Sequence, residues 1–274
     1  DMDKGIVENG ETVTLGPGES NGITEAETRN KYGNVSLVGD KARMEFYFPE
    51  KPNGQMVVVC PGGGYSTVCA IKEGEDVAKW MNKRGVTVCV VVYRLPNGHA
   101  KVPLTDVQNA FRYCRKHAAE WGISQIGIMG FSAGGHLAAS ASVLFTDSIT
   151  RPDFSVLIYP VIDLAHHEGT RKELVGDDNV LKEKYSLQNQ IGEDTPRTFI
   201  ALCQDDKVVN PKSSLLYYNS LLDKGIKAEM YIFPTGGHGW GFLNEEIAGR
   251  KDGLAGYRNI FGECLGKFLD EVKK

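Results

Sequence analysis

The segment Gly130-Phe131-Ser132-Ala133-Gly134 decides how this chain is read. It follows the apolar run Ile126-Gly127-Ile128-Met129 and opens the small-residue stretch His136-Leu137-Ala138-Ala139-Ser140-Ala141. That order reads as strand, sharp turn, helix. The turn demands small residues, because side chains there collide with the neighbouring strand and helix. It lifts the Ser132 hydroxyl clear of the sheet and points a helix N-terminus at it. A G-x-S-x-G pattern in this setting marks a nucleophilic serine; a Gly-rich turn without chemistry is the bland alternative.

Alternating strand and helix signals extend on both sides of this turn. Strands are expected at Arg43–Phe48, Met56–Cys60, Val86–Tyr93, Ile126–Met129, Phe154–Tyr159, Thr198–Cys203 and Ala228–Phe233. Helices are expected at Glu73–Arg84, Leu104–His117, Ser213–Lys224 and Gly256–Lys273. Near-continuous apolar strands between amphipathic helices imply an α/β fold: a mostly parallel central sheet with helices on both faces, three layers α/β/α. Residues 1–30 are polar and Gly-rich and read as an irregular N-terminal arm. Residues 31–274 read as a single domain. Residues 160–197 break the rhythm and read as a cap or substrate-wall insertion at the carboxyl end of a strand.

Bulk properties narrow the function. The 274 residues are 41% hydrophobic and 24% charged, ordinary for a globular chain. A net charge of −4 with no basic run interleaved with aromatics argues against nucleic-acid binding. No apolar stretch approaches the ~18 residues of a membrane helix. Six cysteines (Cys60, Cys69, Cys89, Cys114, Cys203 and Cys264) permit three disulfides. The apolar neighbours of Cys60, Cys89 and Cys203 favour buried free thiols instead, and no Cys or His cluster has metal spacing. Asp163 with His166 and His167 superficially suggests a metal site but lacks further ligands. Asp1-Met2-Asp3-Lys4 does not read as a natural start, so a removed leader is expected.

A serine hydroxyl needs a general base within hydrogen-bond reach, and a carboxylate to orient that base. Strand Ala228–Phe233 runs into Gly236-Gly237-His238-Gly239-Trp240, which offers His238 as the base. Strand Thr198–Cys203 runs into Gln204-Asp205-Asp206-Lys207-Val208-Val209. Asp206 is favoured as the acid over Asp205, which shapes the turn. The oxyanion hole needs backbone N–H donors: Ala133, directly after the nucleophile, and Gly63 and Gly64 from the loop Pro61-Gly62-Gly63-Gly64-Tyr65. A phosphate cradle is the competing reading of that loop, but G-x-x-x-x-G-K-[ST] is missing. Tyr65 and Trp240 flank these segments and are candidate walls of a sugar or acyl pocket, with core packing the alternative. His166 and His167 are candidates for the entrance, and His136 is expected to pack or cap.

These residues occur in a telling order: Pro61-Gly62-Gly63-Gly64-Tyr65, Tyr93-Arg94-Leu95-Pro96, Gly130 to Leu137, Tyr159-Pro160, Gly169-Thr170-Arg171, Asp205 to Val209 and Gly236 to Gly239. The series resembles the bacterial acetyl xylan esterase-like branch of the α/β-hydrolase superfamily, over roughly residues 40–270. Asn210 before Pro211 departs from its pattern, and Pro61 stands where lipase-type loops carry histidine. The resemblance implies an α/β-hydrolase fold and deacetylation of plant polysaccharides such as xylan, with no cofactor and no metal. It implies Ser132 as nucleophile, His238 as base and Asp206 as acid, and adds Arg171 to the candidate substrate contacts. The expected partner is an acetylated polysaccharide or oligosaccharide, in a secreted or periplasmic setting with a cytoplasmic one left open. A feruloyl or general carboxylesterase with the same triad is the alternative, a prolyl oligopeptidase-type peptidase lacks room for its gating domain, and a catalytically silent carbohydrate-binding homologue is a further reading.

Overall fold

The computed structural model describes residues 9–16, 18–242 and 251–273. The strands are β1 (Thr12–Thr14), β2 (Thr28–Arg29), β3 (Asn34–Ser36), β4 (Arg43–Tyr47), β5 (Gln55–Cys60), β6 (Thr67–Cys69), β7 (Thr87–Val92), β8 (Gln125–Phe131), β9 (Ser155–Ile158), β10 (Thr198–Cys203) and β11 (Ala228–Phe233). The α-helices are α1 (Asp76–Lys83), α2 (Lys101–His117), α3 (Ala133–Val143), α4 (Glu168–Val175), α5 (Asn179–Lys184), α6 (Lys212–Asp223) and α7 (Arg258–Val272).

β5, β7 and β10 are buried at every position. Their Val-rich runs suit a pleated surface covered on both faces, as a parallel sheet between helical layers requires. The main sheet runs β1-β4-β7-β5-β8-β9-β10-β11. Neighbours are parallel from β7 to β11, while β4 is antiparallel to both β1 and β7. β2, β3 and β6 form a small antiparallel sheet beside it. The parallel strands β5, β8, β9, β10 and β11 all end on one rim, where loops from several strands converge.

Two turns on that rim are fixed by close packing. A Cβ on Gly134 would lie 2.1 Å from the Cys60 carbonyl oxygen, and one on Gly130 the same distance from the Gly134 oxygen. Only glycine admits these backbone approaches. α3 buries all its residues from Ala133 to Ser142, so its small side chains let it sit tightly on β8 and β9.

Several expectations need correction. The N-terminal arm is not irregular throughout: β1 pairs with β4, and the buried Asn21 amide donates to the Val38 and Leu95 carbonyls at 3.0 and 2.7 Å. A three-residue strand is too short to show a period in sequence. The arm's first eight residues lie outside the described ones. The helix expected at Glu73–Arg84 is split, with a π-type turn over Ile71–Glu75 ahead of α1. α2 begins at Lys101 rather than Leu104, because Pro103 falls in the first turn, where a missing N–H costs little. The cysteines need no correction: all six are free thiols, as the sequence reading favoured. Burial pushes the Cys203 thiol up to about 11, so it keeps its proton. Among the described residues, no helix is long and apolar enough to cross a membrane.

The Tyr93-Arg94 pair after β7 anchors the rim from below. The Tyr93 hydroxyl donates to the Pro61 carbonyl at 2.5 Å. Arg94 makes a buried forked bond to Asp106 of α2, with Nη2 to Oδ1 at 2.8 Å and Nε to both oxygens at 3.1 Å. Its Nη1 reaches the Glu19 carbonyl at 2.7 Å. Asp106→Ala leaves this guanidinium buried and unpaired. We expect urea unfolding to show a loss of about 3 kcal/mol or more.

Candidate active site

The structure brings Ser132, His238 and Asp206 together at the carboxyl rim. Ser132 follows β8 with φ +57° and ψ −119°, a conformation side-chain-bearing residues rarely adopt. Its backbone is held on three sides. Its N–H donates to the Ile158 carbonyl, and its carbonyl accepts from Val161 and His136, each at 3.0 Å. His238 Nε2 lies 2.8 Å from Ser132 Oγ, and its Nδ1 lies 2.7 Å from Asp206 Oδ2. The other Asp206 oxygen accepts the Val208 and Val209 N–H groups at 2.9 Å each. A carboxylate on Nδ1 fixes the tautomer that leaves Nε2 free to take the serine proton.

Asp205 serves the neighbouring turn. Its Oδ1 accepts the Gly237 N–H at 2.8 Å, and its Oδ2 accepts the Thr235 hydroxyl at 3.0 Å. The Gly237 bond is the main reason its carboxyl titrates below the usual range. The two adjacent aspartates therefore divide the work: one orients the imidazole, and the other holds the loop that carries it.

The loop after β5 faces the serine. A Cβ on Gly62 would stand 3.1 Å from Ser132 Cβ. The Gly62 N–H is committed to Glu73 Oε1 at 3.0 Å. Gly63 (φ +139°) and Gly64 (φ +66°) are partly exposed, and among the described residues their N–H groups have no partner in the protein. Ala133 opens α3, so its N–H belongs to the first turn, whose amides have no intrahelical acceptor.

The candidate substrate contacts fare differently. Tyr65 and Trp240 are corrected: both are fully buried. The Tyr65 hydroxyl bonds His136 Nδ1 at 2.9 Å, and the Trp240 ring packs on Tyr159 and Phe261 at 5.0 Å each. Arg171 is also corrected, since its guanidinium caps its own helix end through the Gly176 carbonyl at 2.6 Å and Asp177 at 3.2 Å. His166 lines an open groove with Leu215, Leu216 and Leu222 of α6. His167 sits closer to the chemistry. Its Nδ1 accepts the Thr170 N–H at 3.1 Å, capping α4 and leaving the proton of the neutral ring on Nε2. Burial, and then the positive charge of a protonated His238, push its pKa down. Asp163 does not join a metal cluster; it caps Ala165 and bonds Gln188 at 2.8 Å each. Among the described residues, no group of three His, Cys, Asp or Glu is placed to hold a metal ion.

Three residues that contact the loops of the site escaped the sequence reading: Lys72 at Gly239, Glu73 at Gly62 and Tyr159 at Gly241. Tyr159-Pro160 stood out only as a shared dipeptide, and Glu73 only as a helix start. His136 does pack, as expected. It joins three segments, with Tyr65 on Nδ1 and the Tyr185 carbonyl accepting from Nε2 at 2.7 Å.

Comparison with known proteins points to the same fold. Residues 57–191 match a family model described as the alpha/beta hydrolase fold. The chain is 37% identical over 230 residues to an acetylxylan esterase of Xylanibacter ruminicola, covering 80% of this chain and 48% of that one. It is 35% identical over 211 residues to endo-1,4-beta-xylanase B of Butyrivibrio fibrisolvens, covering 70% and 33%. It thus spans about half or less of these curated relatives. A solved acetyl ester-xyloside bifunctional hydrolase from Caldicellulosiruptor lactoaceticus superposes with a TM-score of 0.79 at 32% identity, over 98% of this chain and 99% of that one. The chain belongs to the α/β-hydrolase superfamily, in its acetylxylan esterase-like branch.

Two outcomes follow from the site geometry. Asp206→Asn should lower kcat by roughly 10⁴-fold, because the imidazole loses its orienting charge. Asp205→Asn should lower it less than about tenfold, since a carboxamide oxygen still accepts the Gly237 N–H. Steady-state ester hydrolysis separates the two.

His136 gives a second test. Burial lowers its pKa from 6.5 to about 4. Between those values the unfolded chain takes up a proton that the folded chain refuses. The His136 contribution is therefore complete above pH 6.5 and lost as pH falls toward 4, on the order of 3 kcal/mol in all. Urea unfolding at pH 7 and pH 4.5 should show a steeper loss for wild type than for His136→Gln.

Proposed function

We propose that this chain is a serine carbohydrate esterase that removes acetyl groups from xylan or xylo-oligosaccharides. One observation carries the catalytic part: the unbroken relay Asp206–His238–Ser132, at 2.7 and 2.8 Å, on a serine raised on a strained turn. The substrate class is supported by relatives named as acetylxylan esterase and acetyl ester-xyloside hydrolase.

The proposed steps use only groups already placed. Ser132 Oγ attacks the acetyl carbonyl carbon as its proton passes to His238 Nε2. The carbonyl oxygen gains the negative charge and rests on the Ala133, Gly63 and Gly64 N–H groups. Asp206 stabilises the imidazolium so formed. The carbon–oxygen bond to the sugar then breaks, and His238 returns the proton to the leaving hydroxyl. Water, deprotonated by the same histidine, attacks the acetyl-serine. The second tetrahedral species collapses as His238 returns that proton to Ser132 Oγ, and the acetic acid released ionises to acetate. Xylan lies outside the cell, and we place the enzyme there too, secreted or periplasmic.

Acetate release from acetylated xylo-oligosaccharides tests this reading. Wild type should release acetate, and Ser132→Ala should lose about 10⁴-fold or more in kcat/KM. Hydrolysis of 4-nitrophenyl acetate without release from the oligosaccharide would point to a general carboxylesterase using the same relay.

A further inference from the structure

Glu73 touches both halves of the site without belonging to the relay. It is 3% exposed and lies in the π-type turn ahead of α1, where its own backbone is non-helical (φ −114°, ψ 18°). Such turns inside helical segments frequently mark functional positions. A buried carboxylate is costly unless its oxygens are bonded, and here the two oxygens take donors from two different loops. Oε1 accepts the Gly62 N–H at 3.0 Å. Oε2 accepts the Tyr159 hydroxyl. The Tyr159 oxygen in turn accepts the Gly241 N–H at 2.9 Å, three residues beyond His238.

Tyr159 closes the connection. It follows β9 with φ +34°, and its ring centroid stands 4.5 Å from that of His238. Burial and the Glu73 charge raise its pKa well above the usual value, so the hydroxyl keeps its proton and donates it. Two further bonds join the same turn to the histidine loop. Lys72 Nζ donates to the Gly239 carbonyl at 3.2 Å, and the Phe242 N–H donates to the Lys72 carbonyl at 3.3 Å.

We infer that Glu73 is a positioning residue that sets the oxyanion loop and the histidine loop against each other. The inference rests on the esterase reading of Ser132. Gly62, Gly63 and Gly64 have wide backbone freedom, and an unanchored loop could present any of their amides to the serine. Binding the Gly62 N–H removes that donor from competition and leaves Gly63 and Gly64 facing the developing oxyanion. Through Tyr159, the same carboxylate backs the His238 ring. Donors stabilise a transition state without reorganisation only when they are already in place. Losing the anchor should therefore lower kcat rather than raise KM.

The test uses Glu73→Gln and Tyr159→Phe in the full chain, with Ser132→Ala as control. Hydrolysis of 4-nitrophenyl acetate is expressed per active site, titrated with a fluorophosphonate. Affinity for benzeneboronic acid, whose tetrahedral serine adduct fills the oxyanion position, is measured in parallel. Glu73→Gln leaves one acceptor oxygen for two buried donors, the Gly62 N–H and the Tyr159 hydroxyl, so it uncouples the two loops. It should lower kcat per titrated site by roughly 10- to 100-fold, the scale of a catalytic misplacement of about 1 Å. KM should stay within about threefold, and boronate affinity should weaken with kcat. Tyr159→Phe keeps the Gly62 bond and should show a smaller loss of the same kind. A purely structural Glu73 lowers the melting temperature and the number of titratable sites but leaves kcat per site and boronate affinity unchanged, and that result overturns the inference. Should Glu73→Gln fail to fold, an unchanged kcat per site in Tyr159→Phe overturns it equally. Retained activity in Ser132→Ala overturns the nucleophile assignment and this inference with it. Loss there alongside an unchanged Glu73→Gln overturns this inference alone.

Discussion

The backbone at Ser132 is the constraint on which the rest of the site depends. A non-glycine residue at φ +57°, ψ −119° costs about 1–3 kcal/mol and persists only where its surroundings over-determine it. Here the serine's N–H and carbonyl are tied to Ile158, Val161 and His136. Gly130 and Gly134 let β8, α3 and the end of β5 approach to distances no side chain would permit. The strain sets a direction: Oγ leaves the sheet toward the rim where β5, β10 and β11 deliver their loops. The order of β5, β8 and β9 in the sheet thus follows the needs of one turn as much as the burial of apolar strands.

Around that turn, charge is placed so that the imidazolium forms at low cost. Asp206 exposes only 1% of its side chain, and its second oxygen is held by two backbone N–H groups. A carboxylate so held stays where it is when the histidine becomes charged. Asp205 is exposed and holds the Gly237 N–H and the Thr235 hydroxyl of the histidine loop. Adjacent residues of one type thus carry different duties because the chain turns between them, sending one side chain inward and the other outward.

Much of this was legible in the sequence, for local reasons. The elbow, the Asp-Asp turn and the Gly-flanked His238 each lie within a few residues of a strand end, so pattern and spacing expose them. The central strands were legible because burial on both faces leaves unbroken apolar runs. What the sequence hid depends on distant contacts. Glu73 and Tyr159 are 86 positions apart and meet only once β5 and β9 flank β8. Tyr65 and Trp240 misled for the opposite reason. They flank site motifs in sequence, but each turn that places the backbone at the site turns the ring into the core. Arg171 looked available because its acceptors, the end of its own helix and Asp177, are set by a helix stop the sequence did not reveal.

The histidine loop shows why these distant contacts matter. Gly236, Gly237, Gly239 and Gly241 all have positive φ, so the segment itself has little preference for one conformation. Neighbours supply the preference: Asp205 at Gly237, Lys72 at Gly239, Arg258 of α7 at the Trp240 carbonyl, and Tyr159 at Gly241. Glycine lets the chain take a path that brings Nε2 to 2.8 Å from the serine, and side chains from outside the loop hold it there. A loop stiffened by its own residues would need to satisfy its internal packing and the relay geometry at once. Dividing those tasks leaves the relay geometry free of the loop's own packing, which is how a segment without intrinsic order serves a reaction that requires groups fixed in advance.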